Sequence, residues 1–585
     1  MSDFIFSTDN IEQNKITKKI QSIYHIGQPT VKEFHSDWGS LGVSQNLYHG
    51  FDPYENGQFI IVVIGGPILT FRDNSFLNDI YSYEGTKAIF ERWQAGEMEW
   101  DMDLSGPFTV LIVNKQTSEV TCITDLMSLI PVYSYVSTNN IVLSTHVDAL
   151  AEITNNNSDL DEVSIVDFIL HGIVTYPHTT FTKIFQVAPA TEHCILKDSI
   201  KLDSTGYWLP TEESKYKSVK EASCDLRDSI QSYIDKITCE TTNIAQFISG
   251  GEDSRMLSGL LSNYPRDAYI FLDQMNREGN IAEKVAKKYG ATFKLATRNR
   301  LHYLDILPSC SDLVGSGSQY HNAHTYGFHN TCNLHSYTAV FGGLFSDALL
   351  KGSRVKKVRG SGKIPFIPEI KKKGYSVGNQ LTSTVFTTSV LYELTNRRRS
   401  HLNYMNKIRG ESAEEWFHLW PSSMNANIAN VHANRRLFRS YEPFMSRDVV
   451  KISTSVPQKW KLNRKLFHPT AKPFLKPSKW LFHGDGWLPY FPWYINNSVR
   501  FSTWLYRQIA RKVGLIKGNQ GPWSEWTTLI HSTEWKKTIK NSQGFNKASA
   551  AFKGKSLTEI LDDNLLSTHQ YINLTQALYK INNKD

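Results

Sequence analysis

Short apolar runs separated by turn residues dominate the first third of this 585-residue chain. Gly, Pro, Asn and Asp lie between the runs, which is the pattern of β-strands joined by tight turns. Strands are predicted at 59–64, 108–114, 120–124, 132–136 and 141–144. We therefore expect a strand-rich domain over residues 1–210.

From about residue 216 the pattern changes to apolar runs that alternate with segments of helical periodicity. Alternating strands and helices are typical of a parallel α/β sheet. The predicted elements are strands at 242–248, 268–272, 292–296 and 337–341, with helices at 254–263 and 280–289. A second domain is expected over residues 216–585, with its ligands at the carboxyl ends of the strands.

The turn between the first of these strands and its helix reads Ser249-Gly250-Gly251-Glu252-Asp253-Ser254. Glycine lets the backbone approach an anion closely, and the N–H groups at a helix start point toward it. The chain lacks the G-x-x-x-x-G-K-[ST] loop of kinase-type phosphate sites. The turn is therefore interpreted as a phosphate-binding loop of another type, with a bare glycine turn as the alternative.

This turn resembles the SGGxDS pyrophosphate-binding loop of the N-type ATP pyrophosphatases. That family includes asparagine synthetase, β-lactam synthetase and the lasso-peptide cyclases. The resemblance implies binding of ATP and its pyrophosphate at Ser249, Gly250, Gly251, Asp253 and Ser254. It also implies a carboxylate substrate that ATP activates as an acyl-adenylate, followed by transfer to an amine or ammonia.

A second segment, 342–347, follows the last predicted strand and resembles the SGEGSDE segment of asparagine synthetases. The resemblance implies that Gly343 contacts the pyrophosphate. Asp347 and Asp253 would then lie at neighbouring strand ends and hold Mg²⁺, a hard ion that takes one or two carboxylates beside phosphate oxygens. A helix N-cap is the alternative role for Asp347.

The third segment, 431–475, resembles the family's stretch that runs through a V-P-F-L-D turn to a catalytic lysine. Lys465 stands where that lysine is expected, and Lys461 and Lys472 are close competitors. The ammonium implied by the resemblance would offset charge that builds near the α-phosphate. A surface lysine is the alternative.

Four histidines lie in segment 315–335, where the family has its substrate-carboxylate segment. His321 and His324 are predicted to contribute to a substrate pocket. The spacing of the four matches no H-E-x-x-H zinc motif, and simple packing is the alternative. The aromatic run from Trp480 to Tyr494 is interpreted as a packed subdomain, with stacking on a substrate as the other possibility.

Segment 106–152 resembles the second half of the glutaminase domain of asparagine synthetase. Glutamine-dependent members carry a nucleophilic cysteine directly after the initiator methionine, whereas this chain has Ser2. At the position of the family's glutamine-binding stretch, this chain has Gly65-Gly66-Pro67-Ile68. We therefore expect a retained scaffold that does not hydrolyse glutamine.

The second departure from asparagine synthetase is Leu344, which stands where SGEGSDE has its glutamate. Leucine cannot accept the proton that an attacking amine must lose. The general base must lie elsewhere, or the nucleophile differs. The chain is therefore expected to use an acceptor other than aspartate.

Composition and charge add limits. The net charge of +8 arises from 64 basic and 56 acidic residues, and the basic clusters are interpreted as solvated faces, so no nucleic acid partner is expected. The chain has six cysteines without C-x-x-C spacing and a polar N-terminus. Both features indicate that the protein is located in the reducing cytoplasm. The longest apolar run, 59–69, is too short to span a membrane. Homodimerisation is left open.

Together these resemblances imply an α/β protein in two parts. The first is an Ntn-hydrolase-like β-sandwich, and the second is a parallel-sheet ATP-pyrophosphatase domain of the adenine nucleotide α-hydrolase type. The function predicted is that of an ATP- and Mg²⁺-dependent carbon–nitrogen ligase acting on a small-molecule or peptide carboxylate. Two alternatives are a glutamine-hydrolysing asparagine synthetase proper and a degenerate family member that only binds.

Overall fold

The computed structural model describes residues 3–196, 201–239, 241, 243–516, 518–540, 544–547, 549–563 and 565–582. Two antiparallel six-stranded sheets build the N-terminal part. Their strands and a short two-stranded ribbon (β6, β7) are β1 Phe4–Ser7, β2 Val31–Ser36, β3 Gly39–Ser44, β4 Tyr54–Glu55, β5 Phe59–Gly65, β6 Ile68–Leu69, β7 Leu104–Ser105, β8 Phe108–Asn114, β9 Val120–Thr124, β10 Tyr133–Val136, β11 Ile141–Ser144, β12 Ile184–Gln186, β13 Thr191–Leu196 and β14 Lys201–Gly206.

The first sheet has the order β12-β10-β11-β1-β3-β2, and the second has the order β14-β13-β9-β8-β5-β4. Strand β5 shows that the second sheet is buried on both faces. Ile60, Val62 and Ile64 join one hydrophobic cluster with residues of the first sheet, while Ile61 and Val63 join a second cluster on the opposite face. Because successive side chains point to opposite faces, a strand buried on both reads as one continuous apolar run.

Helices cover the outer faces of the two sheets. The α-helices of this part are α1 Lys15–Gln21, α2 Glu84–Gln94, α3 Trp100–Asp103, α4 Val147–Ile153 and α5 Glu162–His171. Ile16 and Ile20 of α1 pack with Ile5 and Val142 of the first sheet. Ile89 and Phe90 of α2 pack in the cluster that contains Phe59 of the second sheet.

A parallel five-stranded sheet organises the C-terminal part. Its strands are β15 Ile244–Phe247, β16 Arg266–Leu272, β17 Thr292–Thr297, β18 Ala339–Phe341 and β19 Ser440–Tyr441, in the order β17-β16-β15-β18-β19. All four neighbouring pairs are parallel, and Ile244 of β15 is in register with Arg266 on one side and Ala339 on the other. The carboxyl ends of β15, β18 and β19 therefore lie side by side.

The remaining helices surround this sheet. They are α6 Val219–Thr238, α7 Glu252–Leu260, α8 Arg277–Lys288, α9 His302–Asp305, α10 Leu307–Val314, α11 Ser346–Leu350, α12 Thr388–Ile408, α13 Ala413–Phe417, α14 Ile428–Leu437, α15 Arg447–Ser455, α16 Gln458–Lys461, α17 Phe467–Leu475, α18 Trp493–Lys512, α19 Trp526–Ile530, α20 Thr533–Lys540, α21 Gly544–Lys547, α22 Leu557–Asp562 and α23 Thr568–Asn582. Within the described ranges, none is both long and apolar enough to cross a membrane.

The predicted mixture of antiparallel and parallel sheets is confirmed, and several element boundaries differ. Helix α8 begins three residues before the predicted 280, because the Asn276 side chain caps it by accepting from the Gly279 N–H. Helix α7 begins at Glu252, directly after the glycine turn, rather than at 254. The start of the predicted strand 242–248 includes Thr242, which lies outside the described residues.

Candidate active site

A cavity of about 640 Å³ lies at the carboxyl ends of the parallel strands. Ile248 follows β15, Gly343 follows β18 and Glu442 follows β19, and all three line the cavity. Segment 483–500 supplies part of the remaining wall. This is the place where open parallel sheets collect their ligands, as the sequence predicts.

The glycine turn forms one wall of this cavity. The Ser254 Oγ donates to the Ser249 carbonyl at 3.1 Å, and the Gly251 N–H donates to the Ser249 Oγ at 3.0 Å. The Gly250 N–H donates to a carboxylate oxygen of Glu278 at 2.6 Å. Helix α7 starts at this turn, and no side chain of the described residues caps it at Gly251. The helix start therefore presents its positive dipole end to the cavity.

Arg255 anchors the turn from behind. Its side chain is fully buried, and its guanidinium donates to the carbonyls of Gly250, Leu481 and Phe482 at 3.1, 2.7 and 2.6 Å. The turn and the adjoining segment at 481–482 are thus held by one cation. Nothing in the sequence indicates this role for Arg255, because the two segments are far apart in the chain.

Lys351 is the centre of a charged cluster on the cavity wall. Its ammonium lies 3.1 Å from Glu252, 2.6 Å from Asp253 and 2.6 Å from Asp347. Arg464 contacts the other face of Glu252 at 3.0 Å, and the Ser346 hydroxyl donates to Asp253 at 2.8 Å. The two predicted aspartates are therefore brought together, and a lysine not predicted from the sequence joins them.

The charges in this cluster do not balance, because three carboxylates face two cations. Burial raises the pKa of Asp253 to about 7, with Lys351 opposing and the neighbouring Asp347 and Glu252 adding to the rise. Burial works against ionisation of Glu252 as well, but Arg464 and Lys351 outweigh it and lower its pKa to about 2. Burial also disfavours the Lys351 ammonium, yet Asp253, Glu252 and Asp347 raise its pKa above the ordinary value. The cluster favours an additional cation.

Asp253 and Asp347 have the donor atoms that Mg²⁺ prefers. The Asp347 side chain is 70% exposed, so its carboxylate is open to the cavity mouth. Among the described residues no group of three or more His, Cys, Asp or Glu side chains is arranged to hold a metal by itself. The donor set therefore fits a Mg²⁺ ion that takes its other ligands from phosphate oxygens and water.

Glu442 is a buried carboxylate on the cavity wall, beside the position occupied by Leu344. Its Oε2 accepts from the Leu344 N–H at 2.9 Å, and no ion pair with Lys or Arg is present for it among the described residues. Burial raises its pKa to about 8, against the effect of that hydrogen bond. A Cβ at Gly342 would lie 2.2 Å from the Glu442 Oε1, so a larger residue at 342 would displace this carboxylate.

The predicted substrate histidines separate in the structure. His324 lines the cavity, and its ring centroid lies 4.3 Å from that of Trp523. His321 is buried instead between Trp526 and His569, with ring centroids 5.4 and 6.2 Å away, and it does not line the cavity in the part of the chain that the structure describes. Burial lowers the pKa of both imidazoles to about 3, so both are neutral at neutral pH.

None of the three candidate lysines is among the described residues that line the cavity. Lys465 is exposed, Lys461 is buried against Glu415 at 3.3 Å, and the Lys472 ammonium lies 5.5 Å from the Tyr490 ring centroid. The cations that line the cavity next to the aspartates are Lys351 and Arg464. The assignment of the catalytic role to Lys465 stays a prediction, and Lys351 is the alternative that the cavity lining favours.

Comparison with known families identifies a class for one region of the chain. Residues 82–208 match the family described as "Glutamine amidotransferase domain". This region of the N-terminal part is therefore similar to glutamine amidotransferase domains, which agrees with the predicted resemblance of segment 106–152. The match covers less than half of the chain, so it shows no family for the whole protein. No curated protein matches the chain.

Two solved structures are also similar. One is glutamine phosphoribosylpyrophosphate amidotransferase from B. subtilis complexed with ADP and GMP, at 11% identity and a TM-score of 0.25, covering 50% of this chain and 65% of that one. The other is described as the allosteric regulatory enzyme of purine biosynthesis, at 10% identity and a TM-score of 0.26, covering 50% of this chain and 80% of that one. At these scores neither structure carries an argument about activity.

Proposed function

We propose that the chain is an ATP-dependent ligase that forms an amide bond, of the asparagine synthetase type. One observation carries the proposal. A double-glycine turn at a helix start, two aspartates and two cations meet in one cavity at the ends of adjacent parallel strands. Such a cavity can hold the triphosphate of ATP between the N-terminal end of α7 and the cationic side chains.

The first step would join a carboxylate substrate to ATP. A carboxylate oxygen attacks the α-phosphorus, and pyrophosphate leaves with the electron pair of the broken P–O bond. The glycine turn would receive the pyrophosphate, and Lys351 would stabilise the charge that develops on it. Mg²⁺, when held by Asp253 and Asp347, would neutralise phosphate oxygens.

The second step would transfer the acyl group to a nitrogen nucleophile, with AMP as the leaving group. An attacking amine must lose a proton, and Leu344 cannot accept it. Glu442 lies beside Leu344, faces the cavity and has a pKa raised to about 8. Its carboxylate form would accept that proton, so Glu442 would supply the general base that Leu344 cannot.

Two uncharged side chains of the cavity lining, His324 and Asn430, have unused hydrogen-bonding capacity. The His324 Nδ1 and the Asn430 Oδ1 are buried without a hydrogen-bond partner among the described residues. Unpaired buried polar atoms of this kind gain free energy when a ligand supplies the missing hydrogen bonds. These two atoms suit the polar, uncharged groups of the acyl or amine substrate.

Ammonia or an amine is the proposed nitrogen source, and glutamine is a second candidate because residues 82–208 match a glutamine amidotransferase domain. The required nucleophile would be Ser2, which lies outside the described residues. We expect the purified protein to release no glutamate from glutamine. Glutamate release that a Ser2→Ala variant loses would establish the glutamine-dependent alternative instead.

The central experiment measures ATP–pyrophosphate exchange across a panel of carboxylates, together with calorimetric binding of ATP in the presence of Mg²⁺. Asp253→Ala and Asp347→Ala should each abolish exchange, since the pyrophosphate charge then lacks its metal ligands. Asp305→Ala, at an exposed position on α9, is the matched control. Exchange that persists in either site variant would refute the metal assignment. No ATP binding by the wild-type protein would refute the ligase and leave a protein that only binds other partners.

A further inference from the structure

Helix α18 presents an apolar face to solvent. The side chains of Tyr506, Ile509 and Trp504 are 65%, 55% and 52% exposed. Further exposed apolar side chains on or just after this helix are Tyr494, Ile495, Phe501, Leu505, Val513 and Leu515. The expectation that the aromatic run ending at Tyr494 is packed is met only in part, because Trp487 is buried whereas Trp480 is 67% exposed.

The same helix is basic. Residues 493–512 contain no Asp or Glu, and they contain Arg500, Arg507, Arg511 and Lys512. Most helices on the surface of a folded protein bury their apolar face and expose a mixture of charges. A helix that exposes aromatic and aliphatic side chains, and whose charges are all positive, has the composition of a helix that lies in a lipid–water interface.

The neighbouring loop, residues 354–373, has the same character. The Asn497 side chain of α18 donates to the Ile367 carbonyl at 2.8 Å, so the helix and the loop are in direct contact. The loop exposes Ile364 and 76% of the Phe366 side chain. It holds eight Lys or Arg residues and one acidic residue, Glu369, which is paired with Lys357 at 2.8 Å.

We propose that α18 and loop 354–373 form a docking surface for an anionic lipid bilayer. The basic residues would be attracted to acidic headgroups, while the exposed apolar side chains would enter the boundary between headgroups and acyl chains. A nucleic acid would also attract the positive charge. A nucleic acid would, however, leave the aliphatic side chains Leu505, Ile509 and Val513 without apolar contacts. A lipid surface fits both the positive charge and the exposed apolar side chains.

This surface borders the cavity. Asn496, Asn497 and Arg500 of α18 line it, as do Gly362 and Glu369 of the loop. A protein docked through α18 would therefore hold its cavity mouth close to the bilayer. The docking is independent of the ligase activity, because it uses the outer face of the helix.

The test is co-sedimentation of the full chain with vesicles. Binding is expected to mixed phosphatidylglycerol and phosphatidylcholine vesicles, to weaken with added salt, and to be weak with phosphatidylcholine alone. The triple variant Trp504→Ser, Leu505→Ser, Ile509→Ser should bind the anionic vesicles more weakly by roughly tenfold or more. The matched control replaces three exposed apolar side chains elsewhere, as Ile80→Ser, Tyr81→Ser and Tyr392→Ser.

A second variant, Arg511→Glu with Lys512→Glu, separates the electrostatic contribution and should remove the preference for anionic vesicles. Circular dichroism and thermal melting should be unchanged in all variants, because the replaced side chains are exposed.

Absence of vesicle binding, or equal binding by the triple variant, would overturn the proposal. A concentration-dependent dimer that the triple variant dissolves would overturn it in favour of a second copy of the chain. Tight binding to an oligonucleotide in place of vesicles would overturn it in favour of nucleic acid.

Discussion

Lys351 is the residue on which the electrostatics of the cavity depend. It follows helix α11 directly and contacts Glu252, Asp253 and Asp347 within 3.1 Å. A cation held by three carboxylates is oriented before a ligand arrives, so little reorganisation is needed when charge develops nearby. Its position beside the glycine turn makes Lys351 our alternative candidate for the role expected of Lys465.

We predict that Lys351→Met slows ATP–pyrophosphate exchange by about 10²–10³-fold, the range for loss of one preorganised donor. Lys465→Met should leave the rate near that of the wild type, because the Lys465 side chain is exposed and is not among the described residues that line the cavity. Exchange kinetics with a saturating carboxylate would measure both.

Thermal melting is the control, because Lys351→Met removes the cation between three carboxylates and can lower stability on its own. Lys351→Arg keeps the charge and should restore stability while leaving the exchange rate reduced. If Lys465→Met loses exchange and Lys351→Met retains it, the catalytic role belongs to Lys465.

A second prediction concerns Glu442, whose pKa is raised to about 8 by burial. Transfer of the acyl group to an amine should rise as the pH passes through about 8, because only the carboxylate form accepts a proton. Glu442→Gln should lose transfer and keep ATP–pyrophosphate exchange, which does not need this base. A Gln variant that transfers the acyl group at the wild-type rate would rule Glu442 out.

The same pKa has a consequence for stability. The folded protein holds this proton up to about pH 8, whereas the unfolded chain releases it near 4.5. The folded state thus binds more protons between these values, and stability falls as the pH rises through that window. Chemical denaturation should show Glu442→Gln gaining stability relative to the wild type at alkaline pH, with no such gain below about pH 4.5.

At the scale of elements, the strand–turn–helix unit β15–α7 depends on a contact distant in sequence. The Arg255 guanidinium joins the turn at Gly250 to the carbonyls of Leu481 and Phe482. Because segment 483–500 forms part of the cavity wall, this contact holds that wall against the turn.

Arg255→Met should leave three carbonyl groups without their donor inside the protein. A buried acceptor left unpaired costs about 1–3 kcal/mol, so the melting temperature should fall by several degrees. The KM for ATP should rise, since the turn loses its anchor. Arg300→Met is the matched control because Arg300 is exposed and makes one long ion pair with Glu534 at 3.8 Å. A variant at 255 as stable as that control would contradict the anchoring role.

At the scale of the whole molecule, the N-terminal sheets and the C-terminal part are joined through Asp3. Its carboxylate is buried and contacts Arg435 at 3.1 Å and Arg436 at 2.7 Å, both on helix α14. Tyr24 also donates to it at 2.7 Å. Burial raises the cost of ionising Asp3, but the two arginines outweigh it and hold the pKa well below 3.8.

Asp3→Asn should therefore destabilise the protein at neutral pH, by about 3–5 kcal/mol as expected for removal of one partner of a buried pair. The contribution is fully present above the unfolded pKa of about 3.8 and is lost as the pH falls through the lower folded value. Urea unfolding at about pH 7 and about pH 3 should show the difference shrinking in acid. Asp37→Asn, at an exposed position, is the control, and a loss of stability that does not change with pH would contradict the ion pair as its cause.

Local pattern was sufficient for the elements and for part of the site. Strands β8, β9 and β11 have the predicted bounds, because apolar residues between turn residues are a local property. The glycine turn and the pairing of Asp253 with Asp347 were also predicted. Each aspartate is the second residue of the helix that follows a strand of one parallel sheet, and the carboxyl ends of such strands meet at one edge.

The tertiary structure alone decided which side chains complete the cavity. Glu442 lies beside Leu344 because β19 pairs with β18, and nothing in the local pattern states that strand order. Asn463 and Arg464 have left-handed backbone conformations, so no helical or strand periodicity could indicate whether Arg464 or Lys465 points inward. The exposure of α18 was likewise undetermined, because a sequence rich in aromatic residues has the same composition whether its face is covered or open to solvent. Periodicity records the conformation of one segment, whereas contacts between segments depend on the packing of the whole chain.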